Sequence, residues 1–184
     1  MSITKRLETR LSLISSSMEL IEESVEVISS IIQKSISTNG KIMFCGNGGS
    51  AADSQHIAAE LVGRYKTDRK GLAAIALSTD TSAITSISND FGYDNVFERQ
   101  IEALANEKDV VIGISTGGTS KNVINAIKRA NDIDCSIIGF SGKDGGEMNN
   151  ICDVNIVVPS DDTPRIQEMH ILIGHTICHL IEKE

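Results

Sequence analysis

Tryptophan is absent from this chain, and four Phe and two Tyr are its only aromatics. So small a complement offers no stacking platform for single-stranded nucleic acid. Basic residues are also in deficit: 17 Lys and Arg stand against 25 Asp and Glu, a net charge of −8. That balance excludes a broad phosphate-neutralising surface for DNA or RNA. No apolar run approaches the roughly 18–20 residues that cross a bilayer. The opening Met1-Ser2-Ile3-Thr4-Lys5-Arg6 has no apolar stretch of the kind a signal peptide needs. Cys45, Cys135, Cys152 and Cys178 are scattered, with no C-x-x-C, and read as structural thiols in a reducing compartment. The expectation is a cytoplasmic protein that binds neither nucleic acid nor membrane.

What is present is an ordinary globular composition, 40% hydrophobic and 23% charged over 184 residues, enough for one buried core. No linker, repeat or low-complexity segment divides the chain, which predicts a single domain over 1–184. Leu7, Leu11, Ile14, Met18, Ile21, Val25, Ile28 and Ile32 recur at spacings of four and three, the seam of a long helix over 1–38. A second row, Leu13, Leu20, Val27 and Ile31, widens the apolar surface beyond what one small domain covers. The helix is therefore expected both to lid its own domain and to enter an intersubunit bundle. Thr38-Asn39-Gly40 supplies its C-cap signal.

From 41 to 184 the pattern alternates. Apolar, β-branched runs at 41–45, 73–77, 109–115, 135–141 and 154–159 predict strands. Helical patterns at 50–62, 80–88 with 95–105, and 120–131 lie between them, and 147–150 suggests a short turn. A last helix over 163–182 opens with Thr163 as N-cap and Pro164 at its first position. Alternation of this kind predicts an α/β three-layer sandwich around a five-stranded parallel sheet of flavodoxin-like order.

Ligands of such sheets bind beyond the carboxyl ends of the strands. Two of those ends carry Gly46-Asn47-Gly48-Gly49-Ser50 and Ser115-Thr116-Gly117-Gly118-Thr119-Ser120, each running straight into a helix. Glycines let backbone N–H groups approach a ligand, and the helix N-terminus adds unpaired donors. The hydroxyl-rich second loop reads as a phosphate cradle. Neither loop matches a nucleotide site: Ala51 stands where a dinucleotide fingerprint needs its third glycine, and neither has a P-loop lysine. No nucleotide cofactor is expected.

His56 and Glu60 are four residues apart and share a helix face, either as a surface pair or as part of a site. The last helix carries Gln167, Glu168, His170, His175 and His179. Spacing does not choose among them, although His175 and His179 share a face. Residue types and positions alone therefore lead to a phosphorylated small-molecule site with His/Glu chemistry.

An ordered set of motifs goes further. Gly46-Asn47-Gly48-Gly49-Ser50, His56-x-x-x-Glu60, Asn89-Asp90-Phe91-Gly92, Gly113-Ile114-Ser115-Thr116, Gly142-Lys143-Asp144-Gly145-Gly146 and Arg165-Ile166-Gln167-Glu168 together resemble the sugar-isomerase (SIS) family. Within it they resemble the sedoheptulose 7-phosphate isomerases, the phosphoheptose isomerases. The resemblance spans nearly the whole chain.

It implies conversion of sedoheptulose 7-phosphate to D-glycero-D-manno-heptose 7-phosphate through an enediol, feeding bacterial surface heptoses of lipopolysaccharide or capsule. By the same resemblance Glu60 is the catalytic base and His175 its acid/base partner. Asn47, Gly48, Gly49, Ser50, Asn89, Asp90 and Gln167 contact the sugar. Ser115, Thr116, Gly117 and Ser120 take the phosphate. His56, Glu60, Gln167 and His175 hold one zinc per subunit, and the assembly is a homotetramer with sites at subunit interfaces. Two positions depart from the pattern: many relatives carry serine at Gly117, and some carry Asp at Pro164. A rival branch of the family senses phosphosugars or binds a replication initiator without catalysis. It replaces Glu60 and His175, which this chain retains.

Overall fold

The computed structural model describes residues 2–182; the expected domain limits at Met1 and Glu184 lie outside them. Helix α1 spans Ile3–Ser37, and the Ser2 hydroxyl caps it by accepting from Lys5 N. Its C-cap is Thr38, and the left-handed position that follows is filled by Asn39 (φ 61°) rather than by a glycine. Gly40 serves a different purpose, because Lys108 O approaches so closely that no side chain fits.

Five parallel strands follow in chain order: β1 Ile42–Gly46, β2 Ala74–Ala76, β3 Val110–Ile114, β4 Ser136–Gly142 and β5 Val154–Val158. Their spatial order is β2-β1-β3-β4-β5, the flavodoxin-like order expected. The helices are α2 Gly49–Val62, α3 Thr81–Phe91, α4 Glu98–Leu104, α5 Lys121–Asn131 and α6 Thr163–Ile181. Short 3-10 turns occupy Tyr93–Asn95 and Gly146–Asn150. One terminus differs from expectation: α6 has Asp162, not Thr163, at its N-cap, so Pro164 is the second helical residue. Arg165 and Ile166 N–H both reach Asp162 O, which makes Asp162 the last non-helical residue.

Side chains alternate across the sheet. Ile42, Phe44, Val110, Ile112, Ile138 and Phe140 face one apolar layer with α1, α2 and α6. Met43, Cys45, Val111 and Ile137 face the other, beneath α4 and α5 with Ile84 of α3 alongside. Both faces are covered, as a parallel sheet requires. Ile21, Val25, Ile28 and Ile32 bury the C-terminal half of the α1 seam, each contributing about 1.5–3 kcal/mol. Most of the other half of the seam is uncovered, with Ile14 partly packed on the core: Leu7 is 54% exposed, Leu11 68% and Met18 62%.

The strand order reverses between β1 and β3, which are neighbours paired from Ile42↔Val110 to Gly46↔Ile114. The loops leaving β1 and β3 therefore lie side by side at the switch point of the sheet, where such folds bind ligands.

Candidate active site

After β1, Gly48 takes φ +54° and has open space where a Cβ would stand. That conformation turns the chain directly into α2. Asn47 is locked across the cleft: it exchanges two amide hydrogen bonds of 2.9 and 2.8 Å with Asn122 of α5 and accepts from Tyr93 Oη at 3.0 Å. Gly49 makes room for Gln167, whose Nε2 would lie 2.4 Å from any Cβ there. Ser50 is buried in the first turn of α2.

The second loop is held from within and from behind. Ser115 Oγ and Ser120 Oγ lie 2.9 Å apart, and Gly118 N–H donates to Ser115 O. Thr116 and Gly117 are half-buried at its crest. Gly118 (φ +64°) backs against Gly145 and Gly146, the loop that follows β4. Behind it Ser141 Oγ donates to Asn155, which donates to Asn149, which donates to Asp144 O. The glycine run at 142–146 is thus the rear support of the cradle.

Face sharing on α2 and the approach of α6 bring three expected residues together. His56 Nε2 lies 3.3 Å from Glu60 Oε1 and 3.3 Å from His175 Nε2. One ligand atom from each of the three residues falls within 4.8 Å of the others. The two imidazoles meet edge to face at 76°. Glu60 is the most enclosed side chain of the His56–Glu60 pair, at 24% against 49% exposed.

Not every candidate joins this cluster. Asn89 and Asp90 sit exposed at the end of α3 and hydrogen-bond each other; Tyr93, a few residues on, donates to Asn47. On α6 the structure separates residues that spacing left equivalent. Glu168 turns away to Arg10 and Arg165. His170 is fully buried, donates from Nε2 to Ser141 O, and is lowered to about 4 by burial, so it is neutral. His179 packs edge-on against Tyr65. Only His175 meets Glu60.

Four participants were not among the residues the sequence singled out: Asn122, Tyr93, Asp53 and Tyr65. Asp53 shares the α2 stripe with His56 and Glu60; burial lifts its carboxyl to about 6 against the pull of His56, and one of its oxygens is buried without a partner. Spacing of seven from Glu60 could have pointed to Asp53. The others become visible only once α5, the 93–95 turn and the loop after α2 are folded against the site.

Residues 7–142 match the SIS domain family. A phosphoheptose isomerase of Aliarcobacter butzleri is 61% identical over 91% of this chain and 88% of its own length. The chain belongs to the phosphoheptose isomerases of the SIS-domain family. Solved phosphoheptose isomerases agree in three dimensions. GmhA from Neisseria gonorrhoeae superposes with TM-score 0.94 at 40% identity, covering 99% of this chain and 97% of that one. The Francisella tularensis enzyme gives 0.95 at 31%, with the same coverage.

The cluster of this phosphoheptose isomerase family member has donors and spacing that suit a metal ion. Zinc bonds of about 2.0–2.1 Å place tetrahedral ligands about 3.3–3.4 Å apart. His56 Nε2 to Glu60 Oε1 and His56 Nε2 to His175 Nε2 are each 3.3 Å. Two imidazole nitrogens and one carboxylate are a donor set compatible with zinc.

Proposed function

We propose that this chain interconverts sedoheptulose 7-phosphate and D-glycero-D-manno-heptose 7-phosphate, an aldose–ketose isomerase of heptose biosynthesis. The observation that carries this reading is the meeting of Glu60 and His175 between α2 and α6, two helices whose Gly49–Gln167 contact borders the loop after β1. Loss of that pair would favour a sensor or binding module; its presence and geometry favour catalysis.

The phosphate sits in the 115–120 loop, on the hydroxyls of Ser115, Thr116 and Ser120, the N–H of Gly117 and the start of α5. Asn47, Gly48, Gly49, Ser50 and Gln167 line the sugar end, with Asn89 and Asp90 contributing from α3. Isomerisation moves a proton between adjacent carbons. Glu60 removes the proton from C1 of the ketose; the C–H electrons form the C1=C2 bond while O2 gains a proton. O1 then gives up its proton, the carbonyl forms at C1, and Glu60 returns a proton to C2. One carboxylate serves both carbons because the proton leaves C1 and arrives at C2 on the same face of the planar enediol. His175 exchanges the oxygen protons, since an imidazole can both donate and accept one. His56, Glu60 and His175, with Gln167 as fourth ligand, would hold zinc. Zinc supplies Lewis-acid polarisation of the substrate oxygens when bound.

The uncovered half of the α1 seam supports a homo-oligomer, a tetramer by family resemblance, with sites near its interfaces. Free thiols at all four cysteines suit a reducing cytoplasm. No helix among the described residues is long and apolar enough to cross a membrane.

The test is to incubate the purified protein with sedoheptulose 7-phosphate, with and without chelator and added zinc, beside His175→Asn. Wild-type conversion, lost on chelation and reduced at least about 100-fold in the variant, is expected. No conversion under any metal condition would overturn the enzymatic reading.

A further inference from the structure

His175, the proposed acid/base, has a polar contact at one ring nitrogen only among the described residues. Its Nε2 faces His56, and no protein group among the described residues accepts from its Nδ1. Histidines that ligate metals or move protons ordinarily have that second nitrogen fixed by a carbonyl or carboxylate, which sets the ring plane. Here a ring takes that place. Tyr65 stacks on His175 with centroids 5.6 Å apart and planes 25° from parallel, while His56 stands edge-on to His175 at 4.9 Å. The imidazole is thus held between two rings.

Tyr65 belongs to the irregular segment between α2 and β2, which would place a ring poorly if it were loose. It is tied down at one point. The Glu182 carboxylate, at the C-cap of α6, accepts from the backbone N–H of Tyr65 at 2.7 Å, Lys66 at 2.8 Å and Thr67 at 3.0 Å. Its side chain is 3% exposed and pairs with Arg69 at 3.2 Å. Arg69 in turn donates to the carbonyl oxygens of Glu60 and Leu61, both at 2.9 Å. Burial raises the Glu182 carboxyl, but the N–H donors of Thr67, Lys66 and Tyr65 outweigh it and hold the group at about 2, ionised throughout the working range. One carboxylate therefore joins the end of the helix carrying His175, the loop carrying Tyr65 and, through Arg69, the backbone of the base.

We propose that Tyr65 is a positioning residue for His175, holding its imidazole in the orientation that faces His56 and Glu60, and that Glu182 and Arg69 hold Tyr65 in place. The proposal rests on the assignment of Glu60 and His175 as the reacting pair. What the ion pair fixes is the placement of one ring. The Tyr65 hydroxyl makes no hydrogen bond among the described residues, so the flat ring, not its oxygen, is the working part.

The test compares Tyr65→Leu, Tyr65→Phe and Glu182→Gln in the full chain, by kcat and KM for sedoheptulose 7-phosphate and by zinc titration of the metal-stripped protein. Tyr65→Leu keeps apolar bulk but loses the flat face. It should lower kcat about 10-fold or more with KM within about 3-fold, and weaken zinc about 10-fold, the usual cost of losing an outer partner of a ligand. Tyr65→Phe should restore both. Glu182→Gln keeps shape but loses charge, and should move kcat and zinc affinity in the same direction as Tyr65→Leu. Should Tyr65→Leu fail to fold, Glu182→Gln against Tyr65→Phe decides. Tyr65→Leu matching Tyr65→Phe in both readouts, or a change in KM alone, would overturn the proposal. A wild type that binds zinc without turning over the sugar would sink the functional reading while the zinc arm still tested the positioning. A wild type that did neither would overturn both.

Discussion

Two adjacent glycines of the phosphate cradle should respond in opposite ways to the same added methyl group. At Gly118 the backbone is left-handed, φ +64°, and an ideal Cβ would stand 2.0 Å from Gly145 O and 2.5 Å from Gly145 C. Ordinary contact begins near 3.4 Å, so the loops at 115–120 and 142–146 must part by about 1.4 Å. A left-handed Ala costs about 1–2 kcal/mol before any clash, or about 2–8 °C in melting temperature for a domain of this size. Displacement of a positioning loop by about 1 Å costs on the order of 100-fold in rate. Gly118→Ala should therefore melt at least about 5 °C lower, and lose about 100-fold in kcat/KM, mainly through KM, because the loop carries the phosphate. At Gly117 the nearest atom to a Cβ is Thr119 Oγ1 at 3.5 Å. Gly117→Ala should keep melting within about 2 °C and kcat/KM within a few-fold. Thermal melts and steady-state kinetics on the two variants read both effects. Equal behaviour of the pair, or an unaffected Gly118→Ala, would refute the account of how the rear loop shapes the cradle.

Acid should expose the neutral burial of His170. Its folded value of about 4 lies below its ordinary 6.5, so between these the unfolded chain binds a proton the folded chain refuses. Stability is then fully present above pH 6.5 and falls as pH is lowered, by up to about 1.4 kcal/mol per pH unit and about 3 kcal/mol in all. Denaturant melts from pH 7 to 5 should show a flatter slope for His170→Gln than for wild type; identical slopes would contradict the assignment. Leu11→Glu with Met18→Glu places charge on the exposed α1 seam and should dissociate the proposed homo-oligomer in light scattering; a wild-type protein that is already monomeric would remove the basis for shared sites.

The sheet was legible because parallel strands covered on both faces write nearly continuous apolar runs, and the runs around Phe44, Ile112 and Ile138 are of that kind. The long first helix was legible by its period, and its uncovered N-terminal seam explains why the apolar residues outnumber what the domain buries. The α6 start slipped by one residue because Asp162 and Thr163 are both good caps and only backbone geometry separates them. The two loops were visible as glycine and hydroxyl clusters at strand ends. The choice among Glu168, His170, His175 and His179 was not available from spacing, since it depends on which side of α6 meets α2, Ser141 or Arg10. Family resemblance pointed to His175, and the folded geometry places it against His56 and Glu60. Asn122, Tyr93 and Tyr65 lie in segments with no chemical signature of their own, and act only through contacts made across long sequence separations.

In the proposed reaction Glu60 moves the proton. Glu60→Gln keeps the side chain's size and removes its basicity at a position where the carboxylate is partly open to the cleft, so the fold should survive. The decisive measurement is the rate of heptose 7-phosphate formation from sedoheptulose 7-phosphate by Glu60→Gln and wild type at equal loading, with the fold of each checked by melting. A properly folded variant slowed by about 100-fold to 10,000-fold is the predicted result; a folded Glu60→Gln that isomerises at the wild-type rate would contradict it.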